Sequence, residues 1–230
     1  MLAIAHRGAR AEAPENTLAA FRRAVELGAD GVELDLHRSR DGRLVVIHDD
    51  TLERTTNGRG PVASFTFDEL RRLDAGSWMD ARFAGERIPS LEEVLEAMPA
   101  RVLIFAEMKA AAVVDPLARL LRERELATRV RVSSFDHRSL ASVHRLVPEA
   151  ELGALFVALP VDPVALARAC GARALHPSFH YLTADVVAEA HGAGLAVYTW
   201  TVNEPDDIRR VRAIGVDGIF SDRPERLARA

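Results

Sequence analysis

Short apolar runs alternate with helix-like stretches along almost the whole chain. The runs at 102–107 and 152–157 have the length and composition of buried strands, whereas residues 16–27 carry apolar side chains at helical spacing. About eight such strand-then-helix units fit into the 230 residues. This number and order predict an α/β fold, specifically a TIM-like (β/α)8 barrel. An open doubly wound sheet is the alternative, disfavoured because no glycine-rich phosphate loop of the G-x-G-x-x-G type follows a strand.

One stretch, at about residues 50–89, breaks this alternation. It is rich in glycine, proline and asparagine and has only short apolar patches. We therefore predict a small insertion after the second strand, on one rim of the barrel. Helical periodicity resumes where Ser90 and Glu93 form a capping-box pattern. Because no low-complexity tract, Gly/Ser linker or charge run divides the sequence, we expect a single domain over residues 1–230.

The charge, the cysteine content and the lack of a long apolar run limit which binding partners and which cellular location we expect. A formal net charge of −4 leaves no broad basic surface for nucleic acid, so an anionic small molecule would have to be held by a few placed cations. Cys170 is the single cysteine and cannot form an intramolecular disulfide. No run approaches the ~18 apolar residues of a membrane span, and the N-terminus lacks a signal-peptide pattern. We expect a cytoplasmic protein with no stable membrane insertion.

Polar side chains collect where the first predicted strands end. Since residues two apart in a strand share a face, Glu33 and Asp35 point together, and Leu34 points the other way, toward the helices. The same spacing joins Glu107 to Lys109. Strand ends of a barrel meet at its C-terminal face, where functional residues gather. The pattern therefore predicts one polar site at this face.

The acidic residues of this group favour a metal site. Glu33, Asp35 and Glu107 supply three hard oxygen donors with no thiolate nearby, a set that suits Mg²⁺ or Ca²⁺, with Mn²⁺ also acceptable. A divalent cation would remove the cost of burying like charges together. The alternative is a buried ion network in which these carboxylates pair only with cations such as Arg7 and Lys109.

Two histidines at strand ends are the natural proton carriers. An unperturbed imidazole titrates near neutral pH, so we expect one of His6 and His48 to act as a general base and the other as a general acid. Arg7 and Lys109 can offset the charge of a phosphate. Trp200 offers an aromatic wall for the organic part of a substrate, with a role as core filler as the alternative. His176 and His180 are weaker candidates to line the same pocket.

Two later polar groups are assigned to helix ends rather than to chemistry. Asn203 is expected to cap the helix that follows it. The turn at 221–224 is expected to cap the last helix, with Pro224 at its first position.

At these residues the sequence resembles the glycerophosphodiester phosphodiesterases. The matching runs occur in family order from residue 5 to residue 224: AHRGARAEAPENTLAAF from Ala5, GVELDLHRSRDGRLVVIHDDTLERTTNGRG from Gly31, EMK from Glu107, VYTWTVN from Val197 and GVDGIFSDRP from Gly215. The three-letter run alone is weak, but the long run around Glu33 makes coincidence improbable.

The resemblance implies a TIM-like barrel that hydrolyses glycerophosphodiesters to glycerol 3-phosphate and an alcohol. Position by position, it implies that His6 and His48 are the acid–base pair and that Arg7 and Lys109 contact the phosphate. It further implies that Trp200 contacts the glycerol side. The carboxylates that it implies as ligands of one divalent cation are Glu33, Asp35 and Glu107.

Two other functions compete with this expectation. One is a lysophospholipase D or sphingomyelinase D-like activity on the same scaffold, which would need an apolar groove or interfacial surface. Phe65, Phe67, Trp78 and Phe83 of the insertion are candidate groove walls. The other, from a different class, is a non-catalytic barrel that binds phosphate or a metal. Such a protein is expected to lack one of the histidines or carboxylates, and none is missing here.

Overall fold

The computed structural model describes residues 1–227, which contain nine strands. They are β1 (Leu2–Ala5), β2 (Gly31–Arg38), β3 (Leu44–Val46), β4 (Leu103–Met108), β5 (Val130–Ser134), β6 (Glu151–Phe156), β7 (Ala174–Pro177), β8 (Ala196–Thr199) and β9 (Gly218–Ser221). Eight of them run parallel in the order β1-β9-β8-β7-β6-β5-β4-β2, and pairing of β1 with β2 closes the circle. The predicted barrel is confirmed. β3 lies outside it, antiparallel to β2.

Eight α-helices connect the strands of the described chain. They are α1 (Leu18–Glu26), α2 (Phe67–Leu70), α3 (Leu91–Ala97), α4 (Val114–Glu123), α5 (His137–Leu146), α6 (Pro163–Ala169), α7 (Ala184–Gly192) and α8 (Pro205–Ala213). The capping box of α3 is confirmed, because Ser90 accepts from the Glu93 N–H and Glu93 accepts from the Ser90 N–H. No helix in residues 1–227 is both long and apolar enough to cross a membrane.

The helix α4 was not predicted from the sequence, and neither was the short α2 within residues 50–89. Val114, Leu117, Ala118 and Leu121 are the buried side chains of α4 and do follow helical spacing. Pro116 lies within its first turn, where a missing N–H breaks no intrahelical hydrogen bond. The proline therefore starts this helix rather than interrupting it.

Alternation along the strands separates an outer apolar layer from the barrel interior. Leu34 and Met108 point outward into the layer between strands and helices, as predicted. The lower interior is filled by an aromatic cluster around Phe105, Tyr198 and Phe220, whose ring centroids lie 5.3–5.5 Å apart with Phe105 at the centre. The polar residues of β2 and β4 lie on this inner face, at the C-terminal ends of the strands.

The segment at 50–89, called the insert below, follows β3. It contains α2 and two short 3₁₀ turns, Val62–Ser64 and Ala81–Phe83. Its buried side chains pack on Val45 of β3 and on Ile47, which follows β3 directly. They are Leu52, Val62, Leu70, Ala75 and Ile88. The insert is therefore fixed to the edge of the barrel through its own small apolar cluster.

A close approach inside the barrel requires glycine at position 153. A Cβ at Gly153 would lie 2.2 Å from Nε2 of His176, whose side chain is buried. Burial lowers the pKa of His176 to about 3, with Arg131 adding to the effect, so the imidazole is neutral. The space that a larger residue would need is therefore occupied by a buried ring.

We predict that Gly153→Ala destabilises the fold by about 1–3 kcal/mol, because the added methyl group overpacks the interior. Chemical denaturation of the two proteins measures the difference. Gly192→Ala is the matched control, since no heavy atom lies within 4 Å of its Cβ position and it lies at the end of α7. That variant is expected to match or slightly exceed the parent. Equal stabilities for both variants would contradict the prediction.

Candidate active site

Three carboxylates converge on the inner face of the barrel. Glu33 and Asp35 come from β2 and Glu107 from β4, where Asp35 and Glu107 are register neighbours. One carboxylate oxygen from each of the three lies within 4.8 Å of the others. Glu33 is 5% exposed and Asp35 is 1% exposed. The geometry brings together the acids that the sequence selected as metal ligands.

The electrostatics of this cluster show that its charges are incompletely balanced. Burial, together with the charges of Asp35 and Glu107, raises the pKa of Glu33 well above its usual range. Burial and the charge of Asp35 likewise raise the pKa of Glu107. Burial acts in the same direction on Asp35, but the charges of Arg7 and Lys109 outweigh it and lower the pKa of that carboxyl.

A hard divalent cation fits this donor set. Oδ1 of Asp35 is buried and accepts no hydrogen bond, and Nζ of Lys109 lies 3.5 Å from it. A buried oxygen without a donor is costly and is a natural ligand position. Because all three donors are carboxylates, they suit a cation of the Mg²⁺ or Ca²⁺ type better than a soft metal.

Each strand-end histidine is held by its own carboxylate. Nδ1 of His6 lies 2.7 Å from Oδ1 of Asp222, and Nδ1 of His48 lies 2.7 Å from Oδ1 of Asp49. An ionised carboxylate only accepts hydrogen bonds, so Nδ1–H of each ring is the donor and Nε2 keeps a free lone pair. Burial lowers the pKa of both imidazoles, although Asp222 opposes this at His6 and Asp35 opposes it at His48.

Arg7 and Lys109 pair with the acids as well as face the cavity. The Arg7 N–H donates to Oε2 of Glu33 at 2.9 Å, and its backbone is left-handed with a φ of 56°. Its Nε lies 3.2 Å from Oδ2 of Asp35. Nζ of Lys109 donates to Oε1 of Glu107 at 2.7 Å. The buried ion network that was the alternative to a metal site is thus present, around the same three carboxylates that form the candidate cation site.

These side chains surround one cavity of about 150 Å³ at the C-terminal face of the barrel. Its charged side is built by His6, Arg7, Glu33, His48, Glu107 and Lys109, with Asp35 just behind them. Its apolar side is built by Phe135, Leu155, Trp200 and Phe220. Trp200 lies in this wall and also packs against the aromatic cluster below it. Phe135 packs edge-on against Trp200, with ring centroids 5.5 Å apart. His176 lies at the floor.

The predicted helix-capping roles of Asn203 and of the turn at 221–224 were wrong, because neither makes a side-chain cap hydrogen bond to the helix that follows it. Asp222 accepts from His6 and from Nδ2 of Asn203 at 2.9 Å. Oδ1 of Asn203 accepts from the Asp222 N–H, so this side chain faces the site instead of α8. The cap of α8 is Glu204, which makes no side-chain cap hydrogen bond. Pro224 does begin the last 3₁₀ turn of the described chain, Pro224–Arg226.

Several other site residues were missed. Asn16 donates to Oδ2 of Asp35 at 2.8 Å, and Phe135 follows β5 directly at the cavity. Position after a strand end was the available signal for Phe135. His180, considered beside His176, packs on Phe179 with ring centroids 4.0 Å apart and does not line the cavity.

The chain is similar in sequence to known proteins over nearly its whole length. The sequence model of the Glycerophosphoryl diester phosphodiesterase family matches residues 6–226. A glycerophosphodiester phosphodiesterase of Caldanaerobacter subterraneus subsp. tengcongensis is 43% identical, over 98% of this chain and 96% of its own. One from Bacillus altitudinis is 38% identical, over 98% and 96%.

Solved structures have the same architecture. An Oleispira antarctica phosphodiesterase in complex with the product sn-glycerol-3-phosphate superposes with a TM-score of 0.90 and 30% identity, covering 98% of this chain and 94% of that chain. A glycerophosphodiester phosphodiesterase from Agrobacterium tumefaciens has a TM-score of 0.89 and 32% identity, covering 99% and 98%. The chain therefore belongs to the glycerophosphoryl diester phosphodiesterase family.

Proposed function

We propose that this protein hydrolyses glycerophosphodiesters to glycerol 3-phosphate and an alcohol, by acid–base catalysis on a divalent-cation site. The observation that carries the proposal is that a cluster of three carboxylates and two carboxylate-held histidines lies at a single cavity, which Glu33, Glu107 and both histidines line. The related Oleispira antarctica phosphodiesterase was solved with sn-glycerol-3-phosphate, which supports this product.

The substrate phosphate is bound by the charged side of the cavity. Glu33, Asp35 and Glu107 would hold the cation, which would supply positive charge to the phosphate and polarise a hydroxyl. Arg7 and Lys109 add hydrogen bonds to nonbridging oxygens. Trp200 and Phe135 contact the carbon skeleton and exclude water from that side.

The two histidines carry the protons. One accepts the proton of the attacking hydroxyl at Nε2, while the other protonates the oxygen that leaves as the alcohol. Asp49 and Asp222 hold the rings with Nδ1 as the donor and stabilise the imidazolium form of each. The same groups serve attack by the neighbouring glycerol hydroxyl, through a cyclic phosphate that water opens, and direct attack by water.

A second candidate is the cleavage of phosphodiesters that carry a long chain. Several large apolar side chains are exposed in the loops that follow β5, β6 and β7, at the face of the barrel that holds the cavity: Phe135, Val157, Leu159 and Tyr181, called the apolar rim below. Of these, Phe135 lines the cavity itself. Val157 and Leu159 are 55% and 57% exposed. In the insert, by contrast, Phe65 and Phe67 pack against its own apolar cluster. The apolar rim therefore favours lysophospholipids as the substrates of this second activity.

We predict that His48→Ala lowers kcat by about 10² to 10⁴-fold, because one proton transfer is lost. Release of glycerol 3-phosphate from glycerophosphocholine measures it. His191→Ala is the control, since His191 pairs with Asp217 far from the cavity. Parental turnover in His48→Ala would remove the proposed role of this residue.

We predict that affinity for Mg²⁺, Ca²⁺ or Mn²⁺ rises with pH and that binding releases protons. The raised pKa values of Glu33 and Glu107 favour the protonated form of these groups in the free protein, whereas cation binding requires the ionised form. Calorimetric titration at several pH values, in buffers of different ionisation enthalpy, measures both the affinity and the number of protons released.

Asp35→Asn removes one of the three carboxylates and is expected to bind the cation far more weakly in the same titration. Chelation is expected to abolish activity, and readdition of a bindable cation to restore it. A pH-independent affinity, or full turnover after chelation, would contradict the cation assignment.

We predict that glycerophosphocholine has a higher kcat/KM than lysophosphatidylcholine. The cavity of about 150 Å³ accommodates a glycerophosphate more readily than an acyl chain, which must lie along the apolar rim. Parallel assays of released alcohol on the two substrates decide between the activities. A preference for the lysolipid that is lost in Leu159→Ser would establish the second candidate instead.

A further inference from the structure

Arg54 of the insert lies between two carboxylates and forms a fork with each. Its Nε and Nη2 donate to the two oxygens of Asp49 at 2.7 and 3.0 Å. Its Nη1 and Nη2 donate to the two oxygens of Glu15 at 3.1 and 2.8 Å. Bidentate pairs of this kind fix orientation as well as charge, which a lysine ammonium cannot do.

Asp49 is the partner that holds the imidazole of His48. Both side chains are partly exposed, at 28% and 29%, so the hydrogen bond between them is accessible to water and to rotamer exchange. Arg54 restrains both oxygens of Asp49 and holds the pKa of this carboxyl well below its usual range. Asp49 therefore stays an ionised acceptor in a single orientation.

Glu15 anchors Arg54 from the barrel side. It is 5% exposed, lies outside the cavity and is not among the three carboxylates of the cation site. Burial alone would raise its pKa, but hydrogen bonds from Arg54 and the charges of Arg7 and Arg10 hold the pKa at about 2. Arg7 also donates to Glu15, at 2.9 Å. A buried carboxylate with these partners is a rigid anchor point.

His6 is held by a separate set of contacts. Its partner Asp222 accepts from Asn203 at 2.9 Å. The link from Asp222 toward Glu15 runs through Arg10, at 3.7 and 3.5 Å, beyond hydrogen-bonding distance. Loss of Arg54 thus disturbs the support of His48 and leaves that of His6 in place.

We propose that Arg54 and Glu15 are positioning residues for His48: Glu15 fixes Arg54, Arg54 fixes Asp49, and Asp49 holds the His48 ring in the orientation and tautomer needed for proton transfer. The inference rests on the proposed acid–base role of His48. It gives the insert a part in catalysis, since Arg54 belongs to the insert and Glu15 precedes α1.

The test measures kcat and KM in Arg54→Gln, alone and combined with His48→Ala. Arg54→Gln is expected to lower kcat by about 10- to 100-fold, the size of effect seen when the supporting contact of a metal-ligating side chain is lost, with little change in KM. Arg54→Lys keeps the charge but cannot form the two bidentate pairs. Its kcat is expected to exceed that of Arg54→Gln by less than about tenfold. In the His48→Ala background, Arg54→Gln is expected to cause no further loss, because no ring remains to be positioned.

Arg59→Gln is the matched control. Arg59 is an exposed arginine of the same insert and makes no ion pair within the described chain, so parental kinetics are expected. Arg54 is 42% exposed, so its replacement is compatible with folding. Glu15→Gln, which leaves the fork on Asp49 but loosens its anchor, is expected to lower kcat in the same direction and to a smaller extent.

The outcomes separate this inference from the proposed function. Unchanged turnover in His48→Ala would overturn the proposed role of His48 itself. A slow His48→Ala together with a fully active Arg54→Gln would overturn only the positioning role. So would a loss that is equally large with and without His48, since it would show that Arg54 acts on substrate or folding rather than through this ring.

Discussion

The close approach of three carboxylates is the constraint on which the rest of this site depends. Glu33, Asp35 and Glu107 lie on the inner face of two adjacent strands. Glu33 and Asp35 are buried and the Glu107 side chain is 14% exposed, so water screens their charges poorly. Arg7 and Lys109 compensate part of this charge, yet the pKa values of Glu33 and Glu107 remain raised. A bound divalent cation would supply the missing positive charge, so the cation and the surrounding cationic side chains form one electrostatic unit.

Closure of the barrel turns this unit into an enclosed site. β1 pairs with both β9 and β2, so His6 lies between Asp222 on one side and the carboxylates on the other. The aromatic cluster around Phe105 fills the interior below the polar residues. Charge is therefore concentrated at one end of the barrel. The aromatic cluster that fills the rest of the interior is rigidly packed and holds the catalytic groups within narrow geometric limits.

The insert has both a structural and a chemical attachment to this barrel. Its apolar cluster packs on β3, and Arg54 reaches from it into hydrogen-bond contact with Asp49 and Glu15. Segments that follow barrel strands at the C-terminal face are the usual source of functional groups in this architecture. The contacts of Arg54 link the insert to the orientation of His48.

The sequence by itself determined the barrel, the shared face of Glu33 and Asp35, and the set of strand-end groups, because strand alternation and period-two patterning are local properties. Only the tertiary structure decided the partners within that set. His6 pairs with Asp222, 216 positions away, and Arg54 pairs with Glu15, 39 positions away. Local patterns assigned Asp222 and Asn203 to helix ends, since no local rule shows which strand ends become neighbours when the barrel closes. That choice depends on closure, which brings the first and last strands together and aligns polar groups from distant parts of the chain.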